Sequence, residues 1–391
     1  MFTNNVPGGA FRGYGAPQTA FAAEVHLSRI AEMLEIDPIT IRSINCLKDH
    51  SQLPTGTILP GRSSLPELIK TCAESSGCSQ DQAGWIIPQI QSNGKKLGYG
   101  FALGIKATGY GYGYPEGSYA KIILQGDSNI ENAEVFCSAS ELGQGASAVL
   151  AQLTAQELDL PPGKVRVILS DTDTSEDSGA TNASRITFMV GNAIKQAAHK
   201  ALEAWQDETR PAVGEGRWVA PMTTAPDPTN GGCTDNISYS YAALAALVNL
   251  DEETGQVSVE KVFIAQDVGK AINPLRIEGQ IDGAIVQAIG WTLCENFQVH
   301  AGDILTDSFS TYLIPTAGDI PKAIQSSLLE NADPIGPFGA RGVGEIPFVP
   351  VAPAIIAGIH NARSVWFNAI PIKPAQVLST ITSHSLWVRE E

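Results

Sequence analysis

Loops built from glycine and other small residues stand immediately before helices at several points in this chain, and they constrain it more than any other feature. The segments are AFRGYGAPQ (10–18), ELGQG (141–145) and SGATNASR (178–185), with a fourth, GARGVGEIP, at 339–347. Such loops, placed between strands and helices, belong to layered folds in which helices pack across a sheet. Hydrophobic spacing supplies the elements. Phe21, Val25 and Ile30 recur at helical intervals over 17–35, with Glu24, Arg29 and Glu32 free to face water. Asp37-Pro38 caps and opens a second helix through about Leu47, and a third is predicted over 64–75. From about residue 95 strands are predicted at 119–124, 134–138, 165–169, 238–248 and 257–266. Helices are predicted at 145–158, 188–205, 274–293 and 350–362. The fold class expected is mixed α/β (α+β). Residues 207–235, rich in Pro, Gly, Thr and Asp, read as a long surface loop between two lobes.

Charge excludes several function classes. With 25 Lys+Arg against 41 Asp+Glu the formal charge is −16, so the chain gains nothing from phosphate counterion release and no nucleic acid is expected as a partner. An anionic membrane surface is disfavoured for the same reason. No apolar run is long enough to span a bilayer, and the N-terminus MFTNNVPGGAF has no basic region leading into an apolar core, so no secretory signal is expected. Six scattered cysteines show neither a CxxC pair nor cluster-like spacing, which suits reduced thiols in the cytoplasm.

The loops carry the candidate chemistry. Arg12 can fork onto a phosphate or polar heterocycle. Gly143, Gln144 and Gly145 open a helix whose amides suit an anion. Thr181, Ala183 and Ser184 keep a backbone accessible and add hydroxyl donors. Glu345, on a turn with little bulk around it, suits a general base. Gln280 could point an amide from a glycine-rich helix. Taken alone, each has a plain structural explanation: a helix entry, a tight βα turn, a capping Ser/Thr loop, an exposed Glu, a packing Gln. Gly109 to Gly113 is no dinucleotide fingerprint, the six histidines form no metal spacing, and neither GxSxG nor a phosphate-binding GKS/GKT loop occurs.

In order, AFRGYGAPQ, ELGQG, GATNASRIT, EGQIDGAIVQ and GARGVGE, together with QDVGKAINP, resemble the molybdopterin-binding subunit of the xanthine dehydrogenase/aldehyde oxidase family of molybdenum hydroxylases, over nearly the whole chain. The resemblance implies cofactor contacts from Arg12, Gly143, Gln144, Gly145, Thr181, Ala183, Ser184 and Gln280. It implies a substrate-facing position for Tyr14, where the family usually has Phe, and makes Glu345 the catalytic glutamate. No residue here is expected to ligate molybdenum, which is held through the pterin (in a plain or a cytosine dinucleotide form).

The family's large subunit continues upstream of AFRG, so the resemblance further implies a C-terminal portion of a split subunit. Residues 1–80 would then complete a first cofactor-binding domain begun on another polypeptide, and 85–391 would form a second, elongated and two-lobed. The apolar stripe of helix 17–35 is expected to need a surface supplied in trans. Iron–sulfur clusters and FAD are expected on partner subunits. The reaction implied is oxidative hydroxylation of an electron-poor carbon of an N-heteroaromatic substrate, purine or nicotinate in type, with water as oxygen source. An aldehyde-oxidising member and a non-catalytic structural subunit are the alternatives.

Overall fold

The computed structural model describes residues 8–88, 96–169 and 171–387, so the first seven residues of the N-terminus read above lie outside it. Three helices come first: α1 (Ala16–Met33), α2 (Pro38–Asn45) and α3 (Leu65–Ser75), followed by the short pair β1 (Ser79–Gln80) and β2 (Trp85–Ile86). Next are β3 (Lys96–Ala107), β4 (Gly117–Gln125), β5 (Asn132–Cys137), α4 (Ala146–Leu158), β6 (Val165–Leu169), α5 (Ile186–Gln206) and β7 (Ala212–Val219). The chain continues through β8 (Tyr239–Leu250), β9 (Val257–Asp267), α6 (Pro274–Leu293), the β10–β11 pair (Val299–His300, Asp303–Ile304), β12 (Ala323–Leu329), α7 (Val351–Arg363) and α8 (Pro374–Trp387). The Asp37 cap forms as the sequence predicts, its Oδ1 accepting from Ile39 N and Thr40 N at 3.0 and 2.8 Å. No helix among the described residues is long and apolar enough to cross a membrane.

Two four-stranded sheets organise these elements, in the orders β12-β9-β8-β3 and β6-β5-β4-β7. In each, one edge strand is parallel to its neighbour (β12 to β9, β6 to β5) and the other pairings are antiparallel. The first sheet is buried on both faces, which is why β8 reads YSYAALAALVNL with hardly a polar break. Ala242, Leu244, Ala246 and Val248 meet α6 and α7 on one side. Tyr241, Ala243 and Ala245 meet Leu68, Ile69 and Cys72 of α3 on the other. In the second sheet Ala120, Ile122 and Leu124 pack under Leu150 and Leu153 of α4 and Val190, Ala193 and Ala197 of α5.

Three of the longer strands and one helix escape the sequence reading. Residues 212–219, placed above in a surface loop, form the edge strand β7, and β3 runs for twelve residues where no strand was predicted. Both hide behind glycines, which have poor strand propensity. A Cβ at Gly100 of β3 would lie 1.9 Å from the Ala354 carbonyl oxygen of α7. One at Gly216 of β7 would lie 2.0 Å from that of Ala193 in α5. The glycines are there because a helix backbone rests directly on the strand. Strand β12 and helix α8 were also unpredicted.

The stripe on α1 is likewise corrected. Val25 is buried in this chain's own core, with Phe21 and Ala20 packed against the same cluster, because α7 and β3 supply the cover. The far end of α1 is tied to α7 by a polar cluster. His360 stacks on Trp366 at 3.9 Å, its Nε2 is 3.1 Å from Glu32 Oε1, and Trp366 Nε1 donates to Glu32 Oε2 at 2.9 Å. Burial holds the His360 pKa below its ordinary value despite the pull of Glu32. A group whose folded pKa is depressed gives stability above its unfolded pKa that is lost as pH falls through the folded value. Melting temperature should therefore fall more steeply between about pH 7.5 and 5.5 in the wild type than in His360→Phe, as read by calorimetry.

Candidate active site

The glycine-rich loops converge on one cavity of about 490 Å³. Its wall takes Phe11, Arg12 and Tyr14 from the first loop, Leu142 and Gln144 from the second, and Thr181 through Thr187 from the third. The start of α6 adds Arg276 and Gln280, and the last loop adds Ala340 to Glu345. Edge strands and helices set these positions. The loop before α5 closes over a buried Arg185, whose Nη1 donates to Ser178 O and Ala180 O at 3.0 and 3.1 Å and whose Nη2 donates to Gly117 O at 2.6 Å. Its Nε pairs with Glu116 Oε1 at 3.2 Å. Ala183 and Ser184 beyond it take φ values of 48° and 53°, a left-handed conformation unusual for residues with side chains and common at functional sites.

Glu345 lies at the wall with 8% of its surface exposed. Its Oε1 accepts from Gly13 N at 3.2 Å, and its Oε2 accepts from Ser184 Oγ at 3.1 Å and lies 3.2 Å from Lys106 Nζ. Residues 161 and 332 positions away in sequence thus meet on one carboxylate. Arg12 is held in place at the cavity wall by the protein itself. Its Nε donates to Gly344 O at 2.6 Å, and its Nη2 donates to Gln280 O and Oε1 at 3.0 and 3.1 Å, stapling α6 to the glutamate loop. Burial pushes its pKa down to about 10, with Glu345 opposing, so the strap stays cationic at neutral pH. Tyr14, 37% exposed, has its phenol raised by burial and then by the charges of Glu345 and Tyr110, so it faces the cavity as a neutral donor.

The helix-N-terminus reading of the second loop needs correction. Glu141 occupies those amides itself, accepting from Gly143 N, Gly145 N and Ser147 N, each at 2.9 Å. Burial opposes ionisation of Glu141, but these amides and Arg276 outweigh it and hold its carboxyl below the ordinary range. Gly143 and Gly145 therefore face a neighbouring cleft, whereas Gln144 reaches the main cavity. Thr181 lines the cavity while its Oγ1 accepts from Ser140 N at 2.8 Å, joining the second and third loops. Sequence reasoning missed Lys106, Arg185 and Glu116. The only signal for Lys106 was a lone cation in the run LGIKAT.

Among the described residues no group of three or more His, Cys, Asp or Glu could hold a metal ion. The cavity lining presents side-chain amides, hydroxyls, the guanidinium-bearing Arg12, Arg185, Arg276 and Arg341, and Lys270, around a single carboxylate, Glu345.

Comparison with known proteins places the chain among relatives. Residues 71–213 and 203–321 match one molybdopterin cofactor-binding domain family, and residues 1–46 match a second of the same description. The chain is 29% identical to a probable xanthine dehydrogenase subunit of Bacillus subtilis, covering 99% of this chain and 54% of that one. It is 32% identical to the aldehyde oxidoreductase of Megalodesulfovibrio gigas, covering 97% and 42%. The solved aldehyde oxidoreductase from Desulfovibrio gigas superposes with a TM-score of 0.85 at 29% identity, over 96% of this chain and 42% of that one. The chain thus spans about half the length, or less, of the relatives it matches.

Proposed function

The chain belongs to the xanthine dehydrogenase/aldehyde oxidase family of molybdenum hydroxylases, and from that premise we propose that its cavity holds molybdopterin against Glu345 as general base. The residues present suit that cofactor. A pterin dithiolene brings its own sulfur ligands to the metal, in keeping with a wall that offers hydrogen-bonding groups and no cluster of metal-ligating side chains. Gln144, Thr181, Ala183, Ser184 and Gln280 would bind it, with Arg12 bracing the wall and Gly143 and Gly145 shaping the adjoining turn. When bound, the cofactor supplies two-electron redox chemistry and the oxygen delivered to substrate. This chain supplies a carboxylate at the cavity wall, held by Gly13, Ser184 and Lys106, where a positioned base accepts a proton with little reorganisation.

The observation that carries the reading is the convergence of five sequence-distant segments around Glu345. The substrate class proposed is an N-heteroaromatic ring of purine or nicotinate type, attacked at an electron-poor carbon with water as oxygen source. Aldehyde oxidation is the second reading, favoured by the 32% identity to an aldehyde oxidoreductase. Iron–sulfur and flavin subunits complete the proposed assembly. The test is molybdenum analysis of the purified complex, with anaerobic reduction by purine, nicotinate and aldehyde panels. Reduction by none of them in a molybdenum-loaded complex would reject the catalytic reading.

Tyr14→Phe offers a finer probe. A neutral phenol donor in hydrogen bond with a ring heteroatom is worth about 0.5–1.5 kcal/mol. Its loss should raise KM about 2- to 10-fold for the heterocycle and leave kcat within about 2-fold, as read by steady-state kinetics.

A further inference from the structure

We infer that Lys106 is a positioning residue for Glu345, fixing the carboxylate so that Oε1 is the oxygen that takes the proton. The inference rests on the reading of Glu345 as general base and deepens it. It begins with the strand that the sequence concealed. Side chains alternate along β3, so residues 100, 104 and 106 share the face turned to α7. A Cβ at Gly104 would touch Pro350, Ile346 and Val349, so the turn after Glu345 lies directly on the strand at that point. Two residues further along the same face, Lys106 reaches Glu345 Oε2 at 3.2 Å, and its Nζ also donates to Ala107 O at 2.6 Å.

The partners of each oxygen then tell the two apart. A carboxylate offers about four acceptor positions, two on each oxygen. Oε2 accepts from Ser184 Oγ and lies 3.2 Å from the Lys106 ammonium, whose positive charge disfavours a proton on that oxygen. Oε1 accepts from the neutral Gly13 N rather than from a cation, and Glu345 lines the cavity. The side chains of the ion pair are 11% and 10% exposed, so solvent screens it weakly. Lys106 is not part of the cavity wall, whereas Glu345 is. It therefore acts on chemistry only through the glutamate.

The test compares Lys106→Met, Lys106→Arg and Glu345→Gln in the assembled enzyme, with molybdenum content measured for each. Misplacement of a reacting group by about 1 Å costs up to about 100-fold, so Lys106→Met should lose about 10- to 100-fold in kcat with KM within about 2-fold and molybdenum unchanged. Lys106→Arg, which keeps the charge, should recover most of that loss. A kcat for Lys106→Met within about 2-fold of wild type overturns the inference, as does failure of Lys106→Arg to recover any of the loss. If Glu345→Gln itself retains turnover, the general-base reading falls first. If Glu345→Gln is inactive and Lys106→Met is not, only the role of Lys106 falls. A readout independent of turnover uses the cofactor-free full chain. Water-soluble carbodiimide should join Lys106 to Glu345 as an amide with loss of one water, found by peptide mass mapping. Absence of that cross-link, in a chain where Lys322 and Glu260, whose carboxylate is 14% exposed, do react, overturns the contact.

Discussion

Glu345→Gln should abolish most turnover while leaving the molybdenum content of the assembled enzyme unchanged. The substitution is nearly isosteric. The amide oxygen can still accept from Gly13 N, and the staple from Arg12 to Gly344 and Gln280 does not use the glutamate side chain. What disappears is the negative charge, and with it the basicity needed to take a proton. Loss of a positioned general base costs about 10²- to 10⁴-fold in rate. Rapid mixing with substrate under anaerobic conditions isolates the reductive step, where the loss should appear. A near-normal rate there would reject Glu345 as the base. Loss of molybdenum would instead assign the residue to cofactor retention.

Arg341→Met should be the most damaging change among the buried residues, and its damage should depend on pH. Arg341, 2% exposed, lies 3.3 Å from both Asp267 Oδ2 and Asp333 Oδ2 and donates to Tyr239 O at 2.7 Å and Asn331 O at 3.1 Å. Removing one partner of a buried ion pair costs about 3–5 kcal/mol, because the remaining charge stays in a dry site. That is a large part of the margin of an ordinary domain. Burial already raises the Asp267 pKa above its ordinary value, with Arg341 and the Gly269 and Asn331 amides opposing. A group whose folded pKa is raised gives stability that is complete below the unfolded pKa and lost as pH rises through the folded one. Taking Arg341 away raises Asp267 further and widens that window. The variant should therefore be less destabilised near about pH 5 than near pH 8 in denaturant titrations, and equal destabilisation at both would count against this account. Arg341 N also donates to Val268 O at 3.0 Å, so the base of the glutamate loop should loosen with it.

Much of this was legible before any coordinates. The helix opened by Asn273-Pro274 and the strand over 165–169 fall where the sequence places them, because caps and apolar periodicity are local signals. Residues Arg12, Tyr14, Gln144, Thr181, Ala183, Ser184, Gln280 and Glu345, singled out from loop composition and motif order, line one cavity. Strands β3 and β7 were illegible because their glycines answer to a helix lying across them rather than to strand propensity. The Glu141 cap was missed because a carboxylate three residues upstream of the Gln144 side chain looks like any exposed loop acid until the turn folds back on it.

By itself the sequence determined the local chemistry: which segments turn, which helices begin at a cap, and which loops could come close to a ligand. Those properties depend on a few neighbouring residues and survive without knowing what lies across the fold. Only the tertiary structure decided that Arg12 straps α6 to the glutamate loop, that α1 is covered by α7, and that Lys106 meets Glu345 239 residues away. Such pairings are set by packing two sheets and their helices around shared cores, where a side chain's role follows from the partner brought to it and not from its neighbours in the chain.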